Sequence, residues 1–155
     1  MNLGPQAHAE FWVEGLPARP GAYWLALCLT QPARVRAGPG PHRIWPAGLY
    51  VYAGQARGPG GIRARLGRHL RGHGQGPWHI DALRALAHPV AWGWTLAPSP
   101  TPRPWECQWA QAWLALPGAF VPQPGFGASD CRHGCPTHGV GLLGPCPPPA
   151  ALWRG

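Results

Sequence analysis

The chain contains no lysine. All 13 of its basic residues are arginine, and only five acids, Glu10, Glu14, Asp81, Glu106 and Asp130, stand against them in 155 residues. A GC-rich genome explains arginine in place of lysine but not the shortage of acids. The resulting formal charge of +8 points to a polyanionic partner, with DNA the first candidate. No uninterrupted apolar run approaches the roughly 18 residues of a membrane helix, so no membrane partner is expected. The opening "MNLGPQAHAEFWVEG" lacks the basic start and long apolar core of a signal peptide, and the cysteines number five, an odd count. Both features favour a reduced, cytoplasmic protein that needs no disulfide. The GxxxxGK[ST] pattern of a phosphate-cradling P-loop is also missing.

What is present reads as one α+β domain, long enough to bury roughly two thirds of its unfolded surface. Residues 1–20 form a loose N-terminal lead-in, residues 21–116 the core, and residues 117–155 an irregular Gly/Pro-rich segment packed on it. "AYWLALCL", bounded by Pro20-Gly21 and Gln31-Pro32, has the length of a buried strand. A short strand at 34–36 fits between turn signals, and "GLYVYAG" (48–54) is the next long one. No helix separates the two long runs, so they should pair antiparallel. A helix then starts near Pro59 or Gly60 and stops at the glycines of "RGHGQGP"; "WHIDALRALA" gives a second helix, "VAWGWTLA" a strand, and 105–116 a helix. This order fits a small three-stranded antiparallel sheet flanked by helices.

Two helix faces carry chemistry. On 61–71, Ile62, Leu66 and Leu70 form an apolar stripe, and Arg65 and His69, four apart, stack along its edge. Arg63 and Arg71 point away, free for solvent or phosphate, and the same reading extends to Arg57 and Arg68 as a sequence-independent grip on DNA. An ordinary amphipathic helix with snorkelling arginines is the competing reading. On the helix at 105–116, Gln108 and Gln111 mark the wet face, while Glu106 points inward among Trp109, Ala110 and Trp113. A carboxylate directed there costs several kcal/mol unless a cation or donor meets it.

"GAY" at 21–23, "YAG" at 52–54, "IRARLGRHL" and Glu106, in this order, resemble the signature of the GIY-YIG nuclease superfamily. "GLYVYAGQA", "RLGRHL", "WHID", "EC" and "GFGASDC" look closer still to an uncharacterised branch of it, sometimes joined to endonuclease III type repair glycosylases. The resemblance spans roughly 20–143, with Ala22 and Ala53 where the tripeptides usually carry isoleucine. It implies a Mg²⁺- or Mn²⁺-dependent DNA endonuclease with a GIY-YIG-like sheet, acting in repair with a glycosylase partner. It also implies roles: Tyr23 takes a proton from water, Tyr52 positions or assists, Arg65 holds phosphate oxygens, and Glu106 holds the metal. His69 and His79 could share proton transfer or phosphate binding. The alternatives are a DNA-binding module of the same fold that breaks no bond, and a small protein-interaction domain built around the tail.

That tail contains "SDCRHGCPTH", which sets Cys131, His133, Cys135 and His138 within eight residues. Ligands of this softness suit zinc, although the CxHxCxxH spacing is not a familiar finger, and Cys107 could supply one ligand from the preceding helix.

Overall fold

"AYWLALCL" has too many apolar side chains for a single buried face, and the fold gives it two. The structure, a computed structural model, describes residues 5–37, 42–72, 79–142 and 144–146. Its elements run α1 (Pro5–Glu14), β1 (Gly21–Leu29), β2 (Ala33–Val35), β3 (Arg43–Trp45), β4 (Gly48–Ala56) and α2 (Gly61–Arg71). There follow α3 (His79–Arg84), β5 (His88–Thr95), α4 (Trp105–Leu114), β6 (Ala119–Phe120) and β7 (Gly139–Leu142). Tyr23, Leu25, Leu27 and Leu29 of β1 enter one core with Ile62, Leu66 and Leu70 of α2, while Ala26 and Cys28 enter a second with Val51, Val90 and Trp113. The period of two along the strand thus assigns α2 to one face and α4 to the other.

As the missing crossover helix requires, β1 and β4 pair antiparallel, with Leu25 opposite Tyr52 and Tyr23 opposite Gly54. β5 pairs antiparallel on the other side of β1. The expected three-stranded sheet needs correction, because the sheet has five strands in the order β5-β1-β4-β7-β6, and β2 and β3 form a separate pair. The two additional strands come from the segment expected to be irregular. β7 reads "GVGL" and β6 only "AF", too short and too glycine-rich to show a strand pattern. They form because the outer edge of β4 would otherwise leave backbone groups unpaired.

Residues 5–14 form a helix where a loose lead-in was expected. Val13 of α1 packs on α2, where a Cβ added at Gly67 would lie 2.9 Å from a Val13 methyl. Gly67→Ala gains about 1 kcal/mol of helix propensity but forces this contact, which typically costs about 1–3 kcal/mol. We expect urea denaturation to show destabilisation in the native background and recovery in Val13→Ala. The stretch 73–78, read from sequence as the turn ending the arginine-bearing helix and the start of the next, lies outside the described residues, as do 1–4 and 147–155.

One further expectation is overturned. Cys28 and Cys146 form a disulfide across 118 residues, so the cysteines are not all reduced thiols; Cys107, Cys131 and Cys135 are free. No helix among the described residues is long and apolar enough to cross a membrane.

Candidate active site

β4 is nine residues long, but β7 pairs only with Leu49 to Tyr52. Past that point the edge of β4 opens into a cleft of about 720 Å³, lined by Tyr52, Gly54, Gln55, Arg65, His79 and Glu106, and closed on the far side by the tail segment 127–133. Tyr52 and Gln55, three apart on a strand, point to opposite faces of the sheet, and the cleft reaches both because it wraps the strand's edge.

On the α2 face, Tyr23 and Tyr52 are diagonal neighbours with ring centroids 6.3 Å apart. Tyr23 is almost wholly buried and does not line the cleft; Tyr52, half-buried, does. Gly54 makes the arrangement fit, since a Cβ there would come within 2.6 Å of the Tyr23 hydroxyl. That hydroxyl is 2.9 Å from Nε2 of His69, whose Nδ1 lies 3.9 Å from the Asp81 carboxylate. Burial lowers His69 to about 4 despite the upward pull of Asp81, so at neutral pH the ring is uncharged. With Nδ1 turned to Asp81, the proton belongs on Nδ1 and the Tyr23 hydroxyl donates to Nε2. His69, expected at the edge of the core, is therefore inside it.

Burial raises both phenols. Tyr23 stands well above its ordinary value and Tyr52 is pushed up to about 12, each moderated by the positive charge of Arg65. At neutral pH both carry their protons.

Arg65 is half-buried, and its Nη1 donates to the Gln55 carbonyl at 2.8 Å, which orients the guanidinium along the cleft wall. The Gln55 side chain turns to the other face and donates through Nε2 to Oε1 of Glu106. Glu106 is buried, as its position on α4 requires, and its second oxygen, Oε2, has no hydrogen-bond partner among the described residues. Gln55 escaped the sequence reading because a lone polar residue in a strand carries no motif. His79 stacks on Phe126, and its Nδ1 accepts the Gly127 N–H at 3.0 Å, so the neutral ring carries its proton on Nε2.

The remaining arginines divide. Arg57 is exposed and lines the cleft, as does Arg132, which the sequence reading did not select. Arg63 donates to the carbonyls of Leu16 and Glu14 at the end of α1. Arg68 forms a two-pronged pair with Asp81, and Arg71 pairs with Glu10. These three sit outside the cleft lining with intramolecular partners. The first amides of α2 are also engaged, Ile62 N–H by the Arg19 carbonyl and Arg63 N–H by that of Pro17.

In the cleft wall, Cys107, Cys131 and His138 converge with Cys135, their ligand atoms all within 4.8 Å of one another. This group could hold a metal such as zinc. It replaces the set read from the tail alone, because Cys107 of α4 takes the place expected for His133, which is exposed on the cleft rim.

A scan of protein families matches residues 22–143 to the domain of unknown function DUF123. The chain belongs to the DUF123 family. Neither the curated proteins nor the solved structures contain a match to it. The matched DUF123 span covers the whole sheet except Gly21 at the head of β1, together with α2, α3, α4 and all four members of the cysteine–histidine cluster.

Proposed function

We propose that this DUF123 chain is a divalent-metal-dependent endonuclease that hydrolyses phosphodiester bonds in DNA. One observation carries the reading: a nine-tenths buried carboxylate, Glu106, has an oxygen without a hydrogen-bond partner among the described residues and belongs to the lining of the same cleft as Arg65 and Tyr52. The resemblance to the GIY-YIG superfamily supports it and extends it to DNA repair beside a glycosylase. Mg²⁺ suits a site with one carboxylate because it retains several waters and completes its shell with substrate phosphate. Glu106 would hold that ion, oriented by Gln55; when bound, the ion supplies Lewis-acid stabilisation to a departing oxygen.

The chain's own groups supply the rest. Arg65, always charged and forked, holds phosphate oxygens, and Arg57 and Arg132 add positive charge at the rim. His79 offers an Nε2 proton to the cleft. A phenol at about 12 is ionised in only about one molecule in 10⁵ at neutral pH. Tyr52 therefore serves in the cleft as a protonated hydrogen-bond donor, not as a preformed base, and Tyr23 supports it from the core with its own proton directed to neutral His69.

The test is cleavage of branched, nicked and base-damaged DNA with Mg²⁺ or Mn²⁺. Native protein should cut, and Arg65→Ala should fold and lose cutting by about 10²-fold or more. The burial of Tyr23 favours a second reading, a DNA-binding module without chemistry. Salt-sensitive binding with no cleavage in any metal would select it over the nuclease.

A further inference from the structure

We propose that Cys107, Cys131, Cys135 and His138 bind one structural Zn²⁺ that fastens the first turn of α4 to the tail and so fixes the wall of the cleft. With Zn–S near 2.3 Å and Zn–N near 2.0–2.1 Å, a regular tetrahedron has S···S edges of about 3.8 Å and S···N edges of about 3.6 Å. The Sγ atoms of Cys107 and Cys131 are 3.7 Å apart, and Cys107 Sγ is 3.5 Å from His138 Nε2. Both separations match tetrahedron edges, and the sulfur pair is far beyond the roughly 2.05 Å of a disulfide.

The surroundings agree with the ligand geometry. His138 Nδ1 is 3.1 Å from the Gly127 carbonyl, so the ring proton sits on Nδ1 and the Nε2 lone pair faces the sulfurs. A backbone carbonyl on the far nitrogen is the usual partner of a metal-binding histidine. The His133 N–H points to Cys131 Sγ at 3.4 Å, a donor suited to a thiolate. Local backbone bonds, Cys131 N–H to Ala128 and Gly125 N–H to the Pro136 carbonyl, shape the tail into this turn.

Three cysteines and one histidine leave no open coordination position, which marks the site as structural rather than catalytic. Its location gives it a consequence. Cys107, which directly follows Glu106, and Cys131 and His138 of the tail all line the cleft, so a single ion ties the part of the wall built by α4 to the part built by the tail. This assignment does not depend on the nuclease reading, since zinc content is measured without any substrate.

Protein purified without chelator, in a phosphine reductant, should carry about one zinc per chain by elemental mass spectrometry. Cys135→Ser should lower that content about tenfold or more, while His133→Ala should leave it unchanged. Because a ligand variant can fail to fold, the native chain supplies a second measurement. Cobalt(II) added to metal-depleted protein should give thiolate charge-transfer absorption that saturates at one equivalent and disappears when zinc is added. Native protein that carries no zinc and gives no cobalt absorption would overturn the proposal. So would a zinc content lost equally in His133→Ala, or a Cys131–Cys135 disulfide in anaerobically purified protein.

Discussion

Glu106→Gln is expected to leave a protein at least as stable as the native one in metal-free buffer and to reduce DNA cleavage by about 10²- to 10³-fold. The two effects have one cause. In the native chain Gln55 satisfies Oε1 of a buried carboxylate whose Oε2 has no partner among the described residues. Burying a charge without full compensation costs more than burying a neutral amide in the same place, where an unmade hydrogen bond costs about 1–3 kcal/mol. Removing the charge relieves the protein and disables the site, the trade expected where a group is kept for function. A divalent ion should reverse the order. Mg²⁺ at about 100 times its dissociation constant stabilises the native chain by about 2.7 kcal/mol, and this gain should be absent from Glu106→Gln. Thermal melts with and without Mg²⁺, run beside the cleavage assay, check both parts. A variant that cuts like the native protein, or that gains the same stability from Mg²⁺, would remove Glu106 from the site.

Much of this arrangement is legible in the sequence. The pairing of β1 with β4 followed from the missing crossover helix, and it brings Tyr23 and Tyr52 to one face. The inward direction of Glu106 followed from the glutamines on the opposite side of α4. What escaped were features that depend on a partner distant in sequence. Arg63, Arg68 and Arg71 look free on a helical wheel, yet they meet the end of α1, Asp81 of α3 and Glu10 of α1. Asp81 was visible as one of few acids, but nothing local shows it facing both Arg68 and His69. The fourth member of the cysteine–histidine cluster lies 24 residues from Cys131, so a spacing rule within the tail selected His133 instead. The disulfide was missed because an odd cysteine count argues about the whole set, whereas a bond depends on which two meet.

His69 makes the fold acid-sensitive in a defined window. Its ring is buried among Tyr23, Tyr52, Asp81 and the positive charges of Arg65, Arg68 and Arg84, with burial the largest influence, and it titrates near 4 instead of 6.5. The unfolded chain therefore binds a proton at this position at a higher pH than the native chain does. Stability from His69 is complete above about pH 6.5 and is lost progressively as the pH falls towards 4. A difference of that size corresponds to about 3 kcal/mol, a large share of the margin of a small domain. The same protonation fills Nε2, so the Tyr23 hydroxyl can no longer donate to it. In His69→Gln the amide oxygen can still accept from Tyr23 but nothing titrates. Urea midpoints measured from pH 7 to 4.5 should fall more steeply for the native chain than for the variant. Acid limbs that run parallel in the two proteins would show that His69 is not the group responsible, leaving the carboxylates and the cluster ligands, which both proteins share, to account for the loss.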